Sequence, residues 1–358
     1  METVARYFSH TDMACLGVRL NAGDLHNAAK EVWSDMRLGG AHGLKSVLSF
    51  SEAELWKQPE FQPYRDELKG ERLGWKLSAL SSVGGRYAAV KVVGANAINR
   101  RFGRPRSAST IILLDSFTLR PLCVIDGTEI SAARTATYAS VALERFFSKE
   151  NDLSVFLFGA GPIAEEIVKA LGHFGKHIIS TIYVRSRSGA SARRLVEKHG
   201  PTAGVPLEAA SDNRKLRDCR FVITASNASE PVFAAPDIFA NAVLLHLGGD
   251  ETPVDHIQTV LRSGLAVCDD VSMVSRRNSQ SLALYFSRMG ATLEQLGPFL
   301  GITGFKDVAE VEDVPDRPIL ITCVGLPMLD LYVAAHVYET WLRPGAGAAP
   351  PPGSPVHA

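Results

Sequence analysis

The sequence predicts an α/β fold: a doubly wound parallel sheet joined to an N-terminal α+β domain. Three observations predict it. From Asp152 the chain reads LSVFLFGAGPIAEEIVKALGHFG, an apolar strand, a glycine turn and an amphipathic helix. A second strand, HIISTIYVRS, follows, with further apolar runs at Phe221–Thr224, Val243–Leu247 and Ala266–Val267, a succession that calls for parallel strands covered by helices on both faces. Upstream, Ala88–Val93, Thr110–Leu114 and Leu122–Ile125 are separated by Gly-, Pro- and Asn-rich segments, the mark of a largely antiparallel sheet.

Taken in order, residues 12–37 read as one helix, with Leu16, Val18, Leu20, Leu25, Ala28 and Val32 on a stripe and Asp24 as its cap. Residues 51–72, interrupted by Pro59 and Pro63, read as an irregular surface insertion. A long helix is expected from about Ser131 to Phe147. Ile319–Cys323 and the helical run Leu329–Leu342 resume a different texture and are expected to fold back onto the N-terminal half. These readings give a first domain of residues 1–131 with 319–344 and a nucleotide domain of 132–318. The Pro- and Gly-rich tail, 345–358, is expected to be disordered.

With 358 residues and 46% hydrophobic content, the chain can fill two cores. Its 38 Lys and Arg balance its 38 Asp and Glu, which argues against a nucleic-acid partner, because such binding needs a basic excess. Cys15, Cys123, Cys219, Cys268 and Cys323 lie far apart, with neither a C-x-x-C pair nor a run of histidines, so no metal site is expected. A reduced, cytoplasmic setting fits that cysteine usage. The apolar runs fall far short of the ~20 residues that span a bilayer, and the opening METVARYFSHTDM lacks the apolar core of a signal peptide. Neither membrane insertion nor export is expected.

Gly159-Ala160-Gly161-Pro162-Ile163-Ala164 is a G-x-G-x-x-A turn set between strand and helix, where small residues let the backbone approach a pyrophosphate. Pro162 suits a first helical position, which needs no N–H partner. A dinucleotide cofactor is therefore expected, NAD or NADP. The second strand ends Arg185-Ser186-Arg187-Ser188, without the carboxylate that grips the ribose of NAD, so NADP is favoured. The alternative is that both arginines are solvated loop residues.

Three charged residues need an explanation. Lys91 interrupts the apolar strand Tyr87–Val93, and an ammonium buried there needs an anionic partner. Arg134 stands in the small, neutral segment Ser131-Ala132-Ala133-Arg134-Thr135-Ala136. Asp250 follows Gly248-Gly249 at the carboxyl edge of the parallel sheet, where doubly wound folds bind ligands. Together they offer two cations for a carboxylate and one carboxylate for acid/base work. Read structurally, the cations would form internal salt bridges and Asp250 would cap the helix near Pro253. His246, alternating with leucines, reads as a satisfied core residue.

These segments resemble the ornithine cyclodeaminase/mu-crystallin family over nearly the whole chain. The likeness is carried by Gly43-Leu44-Lys45-Ser46, by Val90–Asn96 with Gly103–Ser107, by Ser131–Ala136 and by Leu247-Gly248-Gly249-Asp250. The resemblance implies a Rossmann nucleotide domain, an N-terminal domain that pairs two copies into a homodimer, and a small amino acid as substrate. It implies that Lys45, Lys91 and Arg134 hold the substrate carboxylate, with Lys91 also catalytic, and that Asp250 is the acid/base. It implies further that Gly159, Gly161, Pro162, Ile163, Arg185, Ser186, Arg187 and the strand end Thr224-Ala225-Ser226 border the cofactor, which Arg134 and Thr135 also reach.

Family activities divide between cyclodeaminases and enzymes with net hydride transfer: alanine dehydrogenase, imine reductases and a diaminopropionate-pathway dehydrogenase. Some relatives bind ligands without catalysis. The opening Arg6–Asp12 and Gly43-Leu44-Lys45 resemble the diaminopropionate enzyme, whereas Gly248-Gly249-Asp250 is closer to the cyclodeaminases. Ser275-Arg276-Arg277-Asn278-Ser279-Gln280 replaces the acidic, glutamine-bearing stretch of cyclodeaminases, and Thr322-Cys323 replaces their Asp-Ser. An oxidoreductase of a small amino acid's carbon–nitrogen bond is therefore favoured over an ornithine-type cyclodeaminase.

Overall fold

The computed structural model describes residues 5–68, 73–308 and 316–343. The chain opens with β1 (Arg6–Phe8), α1 (His10–Cys15) and α2 (Ala22–Leu38). The single helix expected over 12–37 is thus two. Leu16 caps α1, Gly17 takes a positive φ of 74°, and Asn21 starts α2 by accepting from the Asp24 amide at 2.8 Å. Asp24 lies in the first turn rather than at the cap, and the apolar stripe ran on through the break.

β2 (Ala41–Ser49), α3 (Glu52–Leu55), β3 (Lys76–Gly84), β4 (Tyr87–Ala95), β5 (Ser107–Asp115) and β6 (Pro121–Asp126) follow. They complete a six-stranded sheet of order β1-β6-β5-β4-β3-β2, antiparallel except for the β1–β6 pair. The sheet therefore begins well before Tyr87. The described part of 51–72 is no mere loop: Leu55, Leu68 and Leu73 form a small core with Trp56, Phe61, Tyr64 and Trp75. Register pairs Lys45 with Leu80 and Leu80 with Lys91, so the two lysines share one face of the sheet.

α4 (Thr128–Phe147), twenty residues and buried along most of its length, leads to the second sheet. There β7 (Leu153–Phe158), α5 (Pro162–Phe174), β8 (Ile179–Arg185), α6 (Ala190–His199), β9 (Leu207–Ala209), β10 (Phe221–Thr224) and β11 (Val243–His246) alternate as expected. α7 (Val254–Ser263), β12 (Leu265–Cys268), α8 (Val271–Arg277), α9 (Ser281–Arg288), α10 (Leu293–Leu296), β13 (Thr303–Gly304) and α11 (Phe305–Val308) continue it. The strand order is β13-β12-β14-β11-β10-β7-β8-β9, with β14 at Ile319–Thr322 and every pairing parallel.

The position of β14 corrects the expected domain limits. All four of its residues are buried, as in a strand covered on both faces, and it lies between β11 and β12 instead of folding onto the N-terminal half. The next helix, α12 (Pro327–Val337), rejoins that half, packing on the lysine-bearing face of β2–β4, and Tyr338 beyond it meets Tyr87. Its burial on nearly every side matches a sequence that is apolar but for Asp330 and His336. The tail 345–358 lies outside the described residues.

Candidate active site

Because the strands of the second sheet run parallel, their carboxyl ends form one edge, along which loops from β8, β7, β10, β11, β14 and β12 follow in that spatial order. From β8 to β14 is four strand spacings, about 19 Å.

The β7 end is shaped by backbone. Gly159 has φ 122°, and a Cβ there would stand 2.5 Å from the Ala225 carbonyl oxygen, so the turn needs glycine. The Gly159 amide donates to Arg185 O at 2.8 Å and the Ala225 amide to Phe158 O at 2.7 Å, which locks three strand ends together. A Cβ on Gly161 would meet nothing within 4 Å. α5 begins with Pro162 and Ile163 and has no side-chain cap, leaving its first amides free for an anion.

At the end of β8, Arg185 is half-buried and Arg187 exposed, while the Ser186 hydroxyl accepts from the Ala192 amide at 3.0 Å. Arg185 also lies near Asp212, whose carboxyl is drawn down to about 2, chiefly by hydrogen bonds from Arg214 and least by Arg185. At the end of β10, the Ser226 amide donates to Glu251 Oε1 at 3.0 Å, and Thr224 is wholly buried.

The interdomain end is built of charge. Lys91, on β4, is buried and donates to Asp330 Oδ1 and Ser131 Oγ, both at 2.7 Å. Arg134, on α4, donates from Nε to the same Asp330 oxygen at 2.9 Å. The internal salt bridges are therefore real, with one carboxylate serving both cations. Arg134 Nη1 and Asp330 Oδ2 remain buried without partners, which leaves polar capacity for a ligand. Burial brings the Lys91 ammonium down to about 8 against the attraction of Asp330. The Thr135 hydroxyl donates back to Ser131 O at 2.8 Å, within its own helix.

The loop after β14 lies at the centre. Asp269, at the end of β12, accepts on Oδ2 from the Tyr138 hydroxyl at 2.7 Å and from the Val324 and Gly325 amides at 3.0 and 2.9 Å. Gly325, at φ 82°, has no room for a Cβ because the Arg134 guanidinium lies against it. Lys45 reaches the loop from β2, donating to Val324 O at 2.6 Å, and Arg277 reaches it from α8, donating to the same oxygen at 3.0 Å. Burial lowers the pKa of both cations, which also repel Arg134.

Lys45, Lys91 and Arg134 are thus brought together, whereas Asp250 is not in contact with them. Its half-buried carboxylate is ion-paired with Arg288 of α9 and does not cap α7. Beneath it, His246 is fully buried, its Nε2 lies 2.7 Å from Gly249 O, and burial pushes its pKa down to about 4. It is a core residue as expected, but not a fully satisfied one, since its Nδ1 is buried without a partner. Glu251, also buried, is pushed up to about 7.

Asp330, Asp269, Tyr138 and Arg277 were not anticipated. Asp330 could have been, since it is a lone charge in the apolar run Pro327-Met328-Leu329-Asp330-Leu331-Tyr332, the signal that singled out Lys91. Among the described residues, no group of three or more His, Cys, Asp or Glu side chains could hold a metal ion, and no helix is long and apolar enough to cross a membrane.

Residues 75–344 match the profile of the ornithine cyclodeaminase/mu-crystallin family. A Delta(1)-pyrroline-2-carboxylate reductase of Bacillus cereus is 25% identical over 272 residues, 72% of this chain and 78% of the relative. An archaeal alanine dehydrogenase dimer with bound NAD superposes with a TM-score of 0.75 at 20% identity, covering 94% of this chain and 95% of that one. A Thermococcus litoralis Delta(1)-pyrroline-2-carboxylate reductase, in complex with NADH and L-proline, gives 0.73 at 19% identity, over 93% and 96% of the two chains. At those identities the structural likeness concerns the fold. The profile match covers most of the chain, which belongs to the ornithine cyclodeaminase/mu-crystallin family.

Proposed function

We propose that this chain is an NAD(P)-dependent oxidoreductase acting on the carbon–nitrogen bond of a small amino acid or its imine. The observation that carries it is the pairing, on one sheet edge, of an uncapped helix start behind Gly159–Gly161 with cations that converge on the loop after β14. The names of the Bacillus and archaeal relatives support the same chemistry.

The turn after β7 suits the pyrophosphate of a dinucleotide, since the open space at Gly161 and the free amides of α5 are what that group requires. A bound nicotinamide would supply or accept the hydride. Lys45 and the unpartnered Nη1 of Arg134 would hold the substrate's α-carboxylate, and Asp330 keeps Arg134 and Lys91 in place. Such fixing of the reacting carbon supplies much of the rate. Asp250 would exchange Arg288 for the substrate nitrogen and move its proton, with Lys91 as the second titrating group near neutral pH. Arg185 and Arg187, on a strand end without a carboxylate, favour NADP over NAD.

The working unit is a homodimer. On the face of the six-stranded sheet opposite α12, Leu44, Leu48, Leu77, Val83 and Val92 are exposed, an apolar surface suited to a second copy. The dimeric archaeal relative supports this.

Purified protein supplied with reduced cofactor and a small α-imino acid should form the amino acid with stoichiometric cofactor oxidation. Ammonia release from a diamino acid without net cofactor oxidation would assign a cyclodeaminase instead, and cofactor binding with no turnover of any such compound a ligand-binding protein. Asp250→Asn should abolish turnover and spare cofactor binding.

A further inference from the structure

The charges around the Val324–Gly325 loop do not balance. Four cations, Lys45, Lys91, Arg134 and Arg277, meet two carboxylates, Asp330 and Asp269. Asp330 is shared by Lys91 and Arg134, and Asp269 is engaged by Tyr138 and backbone amides. Lys45 and Arg277 remain. Among the described residues neither has a carboxylate in ion-pair range, and both donate to one neutral oxygen, Val324 O.

Two half-buried like charges on one carbonyl repel, and Asp269 attracts both without forming an ion pair with either, an arrangement that favours an anion to complete it. The proposed function supplies one anion, the α-carboxylate, placed between Lys45 and Arg134. That leaves Arg277, which enters from a different element on α8 and belongs to no other ion pair.

We infer that Arg277 is a specificity-determining residue that binds a second carboxylate, making the substrate a short dicarboxylic amino acid or its imine. The two substrate carboxylates then bring the group of four cations and two acids to neutrality. Asp250 and Arg288 balance one another and do not enter the sum. A guanidinium suits the task, because its planar donors meet a carboxylate two at a time. In the reductive direction bound reduced nicotinamide would supply the hydride for the imine carbon, nitrogen would take a proton, and both carboxylates would stay unchanged. The inference rests on the carbon–nitrogen redox reading but is tested without it.

The test is calorimetric binding of succinate and of propionate to the protein saturated with reduced cofactor. Succinate should bind about 10- to 100-fold more tightly, the worth of one charged hydrogen-bonding group. That ratio should fall towards one in Arg277→Met and be kept in part by Arg277→Lys. Equal binding of the two acids by the natural protein, or a ratio untouched in Arg277→Met, would overturn the inference, as would loss of cofactor affinity in place of succinate affinity. Turnover is read separately, with the ammonium-derived imines of oxaloacetate and pyruvate, where Arg277→Met should raise KM for the first far more than for the second. Succinate preference without reduction of either imine would leave Arg277's role standing and defeat the redox reading. Reduction of both with no preference would do the reverse.

Discussion

At β7 the carboxyl edge of the sheet is made of backbone: a glycine with no room for a side chain, a second glycine facing open space, and a helix start with free amides. At β14, a few strands away, the same edge is made of charge, with side chains from β2, β4, α4, α8 and α12 gathered around a four-residue loop. The first half centres on one contiguous, uncharged turn, held by backbone hydrogen bonds to the neighbouring ends of β8 and β10. The second exists only when both domains have folded and its charges have found one another. Errors should therefore be paid for differently: in local geometry at β7, in uncompensated charge at β14.

Asp330→Ala tests that contrast most severely. It leaves Lys91 and Arg134 buried without their shared carboxylate, and urea unfolding should show a loss of about 3–5 kcal/mol. Replacing Lys91 by Met in the same chain should restore part of it. A loss below about 1 kcal/mol, the scale of an exposed pair, would mean the β14 half is not held together by charge.

Gly159→Ala comes next. Forcing a side chain into that φ should cost about 1–3 kcal/mol and reduce affinity for reduced cofactor, read by fluorescence titration, while succinate or propionate binding changes little. Equal losses for both ligands would merge the two halves into one.

The pH profile probes the charged half without a mutation. If Lys91 must be cationic as the second titrating group beside Asp250, kcat/KM for reduction should hold below pH about 8 and decline above it, as burial sets that group's pKa. Lys91→Arg should move the decline upward. A profile flat through that range would remove Lys91 from proton transfer.

The smallest effect is expected at β8. Arg185→Ala should weaken NADP by about tenfold and NAD hardly at all, one charge-assisted contact being lost. Equal weakening would show Arg185 to be occupied elsewhere, for instance by Asp212.

What the sequence revealed follows the same division. The Gly159–Ala164 turn and its flanking strand and helix could be read because every residue needed lies within one strand–helix unit. Lys91 and Arg134 were legible as charges in apolar or small-residue surroundings, but their common partner Asp330 lies some two hundred residues on and went unread although its setting is the same. Arg277 gave no local signal at all, since it ends a short helix among polar residues and acquires meaning only beside Val324. A four-residue apolar run such as β14 says nothing of which sheet it enters, and the hydrophobic stripe that continues past Gly17 hides the break there. Asp250 was correctly placed on the sheet edge, yet its pairing with Arg288 is a tertiary fact.

The measurement that bears most directly on the charged half is a comparison of the natural protein with Lys45→Met, in which KM for an α-imino acid and the dissociation constant of reduced cofactor are determined side by side. Lys45 comes from the N-terminal sheet and touches the β14 loop, so its loss should raise KM at least about tenfold and leave cofactor affinity where it was. An unchanged KM, or a cofactor affinity that falls in step with it, would contradict a carboxylate site built from Lys45 and its neighbours.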